Sequence, residues 1–203
     1  MPAYLSVFEW RTRSRHRSTA TYGLVNKAIE GLVRERFGEK TWEEVKRKAG
    51  IDAEVFVSME QYPDDVTYKL VAAASEVLET PAEDILKAFG EYWVLYTAKE
   101  GYGELLKMSG NTFGKFLHHL DDLHAHVGLS FPDLQPPSFQ CSENGDGSLL
   151  LRYYSDRPGL APMVIGLLNG LALMFDTEID VKQTVSREEG ADHDAFLIAI
   201  IGE

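Results

Sequence analysis

Asn111 to Phe131 reads NTFGKFLHHLDDLHAHVGLSF. At helical period, Phe113, Phe116, Leu117, Leu120, Leu123, His124 and Val127 fall on one face, at spacings of three and four. Lys115, His118, Asp121, Asp122 and Ala125 fall largely on the other. The stretch holds four histidines, and only His124 sits within the apolar stripe. Two roles suit a lone imidazole in such a groove: a core histidine satisfied by a neighbour, or an axial ligand to a buried haem or metal. The helix by itself leaves both open.

Around that helix the chain is acidic and helix-rich. It has 203 residues, 44% hydrophobic and 26% charged, which suits one compact domain with up to two lobes. Net charge is −12; Arg11, Arg13, Arg15 and Arg17 against Glu9 put +3 in the first twenty residues and leave −15 on the rest. An acidic body with no basic stripe argues against nucleic acid and anionic membrane as partners. Cys141 is the only cysteine, so no intrachain disulfide forms, which fits a reducing, cytoplasmic setting. The apolar run Pro162 to Phe175 is too short to span a membrane, and Asn169 and two glycines interrupt it.

Residues 1–21, rich in Arg, Ser and Thr, are expected to be a disordered basic extension, with the folded domain at 22–203. Helices are expected over Leu24–Phe37, from Thr41 (a capping-box spacing to Glu44) to Gly50, over Pro63–Leu78, from Thr80-Pro81 through Tyr96, and near Glu104–Met108. Pro132, Pro136 and Pro137 end the helical part. Strands are then expected at Ser138–Ser142 and Leu149–Ser155 around Asn144-Gly145-Asp146-Gly147, followed by an apolar helix over Leu160–Phe175 and strands at Glu178–Glu188 and His193–Ile201. Helices first, then a small antiparallel sheet carrying one long helix, is an α+β architecture.

A second motif bears on His124. In Tyr153-Tyr154-Ser155-Asp156-Arg157, period two puts Tyr153, Ser155 and Arg157 on one strand face. A phenol, a hydroxyl and a guanidinium suit one or two carboxylates, although a solvated strand face with one salt bridge would look the same. A ligand that is apolar in the middle, carboxylated at one rim and in need of an imidazole would use both motifs, and haem fits that description.

Several dispersed motifs together resemble one family. They are Tyr22-Gly23-Leu24-Val25-Asn26, Leu70-Val71-Ala72-Ala73-Ala74-Ser75, Leu120-Asp121-Asp122-Leu123-His124-Ala125-His126, Pro136-Pro137-Ser138-Phe139-Gln140-Cys141, Tyr153-x-Ser155-x-Arg157 and Asp192-His193-x-x-Phe196-Leu197-Ile198. In this order over residues 22 to 203 the chain is similar to the haem–nitric oxide/oxygen binding (H-NOX) family, the sensor domain of soluble guanylate cyclase and its bacterial stand-alone relatives.

The resemblance implies an N-terminal helical lobe and a C-terminal antiparallel sheet with a packed helix, with haem b (iron protoporphyrin IX) buried between them. His124 would be the proximal iron ligand. Tyr153, Ser155 and Arg157 would bind the propionates, and Pro137 would press on the porphyrin. Asp121 would be structural or signalling, and Cys141 matches a cysteine of the cyclase relatives. Met163 stands where oxygen-binding members carry a distal tyrosine. With Val25 and Ile29 it makes an apolar distal pocket with no hydrogen-bond donor, the kind that selects nitric oxide, with carbon monoxide as a second gas. Trp93, or its neighbour Tyr92, is the alternative donor that would admit oxygen.

The chain carries no kinase, cyclase or receptor segment after the sensor. The effector is therefore expected in trans, a histidine kinase or a cyclic-di-GMP enzyme. The rivals are an oxygen or redox sensor, a haem enzyme (peroxidase or nitric oxide dioxygenase) and a haem-free interaction module. The expected distal residues lack the acid–base group that enzyme chemistry needs.

Overall fold

A computed structural model describes residues 20–97, 100, 102–130 and 135–202. Residues 1–19 of the expected extension, and Phe131 and Pro132, lie outside the described residues. The chain divides into two compact units, residues 1–85 and 86–203.

The first unit opens with strand β1 (Ala20–Tyr22), paired antiparallel with β2 (Gln61–Pro63). Ala20 and Thr21 therefore belong to a strand rather than to an extension ending at 21. Helix α1 (Gly23–Phe37) buries Ala28, Ile29, Leu32 and Val33 of the apolar stripe its sequence carries, with Val25 of the same stripe half-buried. Gly23 starts it because no side chain fits: an added Cβ would lie 2.1 Å from the Val57 carbonyl oxygen. Helix α2 (Glu39–Ala49) begins two residues before the predicted Thr41, so the expected capping box does not form. Gly38, at φ +87°, turns the chain and lets the second helix restart at once. The Thr41 hydroxyl instead donates to Phe37 O at 2.9 Å, an orphan carbonyl at the end of α1. Gly50 closes α2 in the left-handed conformation, as its position suggests. Helix α3 (Asp64–Val77) follows β2 and buries Leu70, Val71, Ala73 and Ala74. Tyr68 and Val77 of this helix, and Leu78 just after it, are half-buried.

Helix α4 (Ala82–Thr97) starts from the Thr80-Pro81 signal; Asp84 and Ile85 N–H groups both donate to Pro81 O. In the second unit come α5 (Gly103–Met108), α6 (Phe113–His118) and α7 (Leu120–Ser130). The single helix expected over 111–131 is thus two helices. His119 leaves helical geometry, its N–H bonded to Lys115 O and Phe116 O. Its ring Nδ1 contacts Ser109 O at 3.1 Å, after α5. The amphipathic face survives the break: Phe113, Phe116, Leu117, Leu120 and Leu123 are all buried.

Four strands form the sheet: β3 (Ser138–Glu143), β4 (Leu149–Tyr154), β5 (Glu178–Val185) and β6 (Asp194–Gly202), all antiparallel, in the order β3-β4-β6-β5. Helix α8 (Ala161–Met174) lies between β4 and β5 in the chain. The core of this unit joins Phe116, Leu117 and Leu123 to Phe139, Leu151, Val164, Leu168 and Phe196. Three glycines let α4 and α8 meet backbone to backbone. A Cβ on Gly90 would lie 2.2 Å from Met163 O, on Gly166 2.0 Å from Lys87 O, and on Gly170 2.8 Å from Glu91 O.

Candidate haem site

The second unit contains a cavity enclosing about 570 Å³ of non-atom space, its open mouth included. Its walls are Trp93, Val94 and Thr97 of α4, Leu106 of α5, the apolar face of α6 and α7 as far as His124, Phe139 and Leu151 of the sheet, and Val164, Leu167, Leu168 and Leu171 of α8. His124 is the only ionisable side chain in this lining.

His124 Nδ1 lies 3.1 Å from the carbonyl oxygen of Pro137. Burial pulls the imidazole below its usual value, outweighing the upward pull of the Pro137 carbonyl and of Asp121. A neutral ring donating Nδ1–H to Pro137 keeps a lone pair on Nε2, the tautomer a metal-binding histidine needs, fixed by the carbonyl on its other nitrogen. Pro137 thus meets His124 through its carbonyl. Asp121 braces the same junction: Phe139 N–H donates to it at 2.6 Å and the Ser138 hydroxyl at 3.0 Å, tying the first turn of α7 to β3.

The other described imidazoles are engaged elsewhere. His118 lies 3.7 Å from Glu143, His126 contacts Asp122 O on its own helix, and His193 pairs with Asp192. Among the described residues no cluster of three or more His, Cys, Asp or Glu could hold a metal ion. The cavity has one protein ligand to offer, which fits haem iron better than a bare metal ion.

Tyr153 is buried on the inner face of β4, its ring 5.1 Å from that of Phe139, which is 5.6 Å from that of His124. The shared strand face predicted for Tyr153, Ser155 and Arg157 does not extend that far, because β4 ends at Tyr154. A bend brings the three together instead. Ser155 hydrogen-bonds the Tyr153 hydroxyl, its own Oγ accepts from Arg157 N–H at 3.1 Å, and the Arg157 guanidinium donates to Gln135 O at 3.0 Å. Burial raises the Tyr153 phenol above its usual value, opposed by the Ser155 bond and by the charge of Arg157. The phenol stays a donor at neutral pH.

The expected distal residues are spread more widely. Met163 is half-buried in the first turn of α8 and is not part of the cavity lining; Val164 and Leu167 of that helix are. Val25 and Ile29 lie on α1 of the first unit, half-buried and buried respectively. Trp93 lines the cavity, whereas Tyr92 stacks on Tyr96 at 5.8 Å and does not line it. Thr97 also lines it, a residue with no sequence signal of its own. Its hydroxyl is spent on Trp93 O and Val94 O of its own helix. Cys141 is half-buried against the core, its thiol pushed up to about 11 by burial and Glu143, so it is inert at neutral pH.

An apolar cavity, one neutral imidazole with a lone pair to give and a nearby cluster of hydrogen-bond donors have the chemistry that haem would need. The profile of the Haem-NO-binding family matches residues 22–183, and the chain belongs to that family. H-NOX domains are haem-based gas sensors that bind gases such as nitric oxide and carbon monoxide and act on effectors.

Soluble guanylate cyclase gcy-35 of Caenorhabditis elegans is 32% identical over 192 residues, covering 89% of this chain and 28% of that protein. Guanylate cyclase soluble subunit beta-2 of Rattus norvegicus is 38% identical over 122 residues, 57% of this chain and 18% of the subunit. The chain thus spans about a quarter or less of these curated relatives. The fold matches the H-NOX protein from S. oneidensis in its Fe(II)NO ligation state, with TM-score 0.81 and 24% identity over 89% of this chain and 99% of that one. It also matches the Fe(II) unliganded H-NOX protein from K. algicida, with TM-score 0.78 and 20% identity over 90% and 98%. Among the described residues no helix is long and apolar enough to cross a membrane.

Proposed function

We propose that this domain binds one haem b through His124, senses nitric oxide while excluding oxygen, and passes the signal to a separate effector protein. The observation that carries this is the chemistry of the cavity: one neutral imidazole in a lining otherwise almost wholly apolar. Bound dioxygen gains much from a buried donor and nitric oxide little, so a wall without a free hydroxyl favours nitric oxide. Haem, when bound, would be held by His124 and would supply the ferrous iron that takes up the gas.

The chain's own residues carry that change outward. Pro137 O keeps the His124 ring oriented, and Asp121 keeps α7 fixed to β3 beside it. A change at His124 is therefore felt first along α7. It becomes a signal only for a partner that distinguishes the two arrangements. The effector we expect is a histidine kinase or a cyclic-di-GMP enzyme in the cytoplasm; the sensor itself carries no reaction.

The test is an absorption spectrum of the reduced protein under argon, in air and with nitric oxide. A five-coordinate ferrous spectrum unchanged by air, giving way to a five-coordinate nitric oxide complex, is the expected result. A second reading, oxygen sensing, rests on Trp93, whose indole is in the cavity wall. A stable oxygen complex in air that is lost in Trp93→Phe would replace the first reading with the second.

A further inference from the structure

Thirty residues after Arg157, a second guanidinium returns to the same bend. The strand expected to run to Glu188 stops at Val185, and Arg187–Glu189 form one 3-10 turn. There the Arg187 guanidinium donates to the carbonyl of Ser155, the middle residue of the Tyr-x-Ser-x-Arg motif. Its backbone N–H donates to Asp194 Oδ1 at 3.0 Å, and Gln183 Nε2 donates to the same oxygen at 2.9 Å. Asp194 is buried and lies opposite Tyr153 in the β4–β6 register.

The charges around the motif then decide the matter. Tyr153 and Ser155 are neutral donors. Arg157 is one cation, and the buried carboxylate of Asp194, opposite Tyr153 in the register, sets one negative charge beside the same phenol. Neither hydrogen bond to Asp194 uses the Arg187 guanidinium, and no ion pair of Arg187 occurs among the described residues. The remaining nearby acids, Asp156, Glu188 and Glu189, are exposed, where water screens them. Iron protoporphyrin IX brings two carboxylates, and with Arg157 alone the cluster would meet them with no net positive charge. Resting on the reading of this site as a haem site, we propose that Arg187 is the second cation of the rim, its guanidinium held by Ser155 O and facing the porphyrin carboxylate that Arg157 does not take. Its field reaches the Tyr153 phenol, as that of Arg157 does.

The test separates charge recognition from bracing of the bend. Wild type, Arg157→Gln, Arg187→Gln and Arg187→Lys are loaded with iron protoporphyrin IX, each of its two monomethyl esters, or its dimethyl ester, and loss to excess apomyoglobin is timed. Arg187→Gln is expected to speed loss of the free diacid about tenfold, the scale of a hydrogen bond to a charged group. It should barely change loss of the dimethyl ester, and Arg187→Lys should recover part of the difference. One monoester should be insensitive to Arg187→Gln and the other to Arg157→Gln. Equal acceleration for diacid and dimethyl ester would make Arg187 a strut and overturn the proposal, as would no effect on either. If the wild type itself loses diacid and dimethyl ester at the same rate, the rim does not hold carboxylates and the underlying site reading fails too. If esterification matters and only Arg157→Gln responds, Arg187 alone is excluded.

Discussion

The two long walls of the cavity are built on different physics. Where α7 meets β3, the joint is polar and directional: His124 on Pro137 O, and Asp121 on Ser138 and Phe139. Where α4 meets α8, the joint is steric: Gly90, Gly166 and Gly170 let two backbones touch, and what faces the cavity is mostly hydrocarbon. Directional bonds fix the orientation of one side chain, as a ligating imidazole needs. Close backbone packing fixes a shape and, Trp93 apart, turns hydrocarbon to the cavity. The lesson is that position and exclusion are separate tasks, divided in this fold between separate joints.

The comparison breaks most sharply at His124. His124→Gly should lose haem affinity by more than the ~100-fold that removing even an outer-shell partner can cost, and added imidazole should restore it. Normal haem content in that variant without imidazole would remove His124 as the ligand. On the steric wall, Gly166→Ala forces a methyl to within 2.0 Å of Lys87 O. The overpacking should cost about 3 kcal/mol and lower the melting temperature by about 6–12 °C. A melt within a degree of wild type would show that α4 and α8 part easily and that the contrast is false.

The polar joint is softer. Asp121→Ala removes the acceptor for Phe139 N–H and the Ser138 hydroxyl, but Asp121 is exposed, so about 1 kcal/mol is expected in a denaturant titration. Ser138→Ala removes only one of the two bonds and should cost less, and the double variant should lose no more than Asp121→Ala alone; additive losses would show that the pair does not act as one contact. The smallest effect is one of pH. Burial holds the His124 pKa below that of the unfolded chain, so the unfolded state takes up the proton first. Stability of the haem-free protein should be flat above the ordinary imidazole value of about 6.5 and fall as pH drops through the lower folded value. A His124→Leu variant should lack that slope; the same slope in both would assign it to another group.

Much of this was legible in the chain. The amphipathic face of 111–131 survived as the cavity wall although its helix broke at His119. Pro81, Gly50 and the Asn144–Gly147 turn marked element ends by local chemistry. The donor set Tyr153, Ser155 and Arg157 converged, but through a bend rather than a continuing strand, because β4 ends where its pairing with β6 stops. Thr41 misled because a capping-box spacing cannot reveal that Phe37 O lies within reach of its hydroxyl.

By itself, then, the sequence determined the elements, the single imidazole on an apolar face and the donor motif, because periodicity, capping and side-chain chemistry act over a few residues. The tertiary structure alone decided that β6 inserts between β4 and β5, which sets Asp194 opposite Tyr153. It alone brought the Pro137 carbonyl to His124, Asp121 to β3, and Arg187 to Ser155. Those contacts span 13, 18 and 32 positions. They form because burying one core folds distant segments together, and that leaves no mark in the local pattern of either partner.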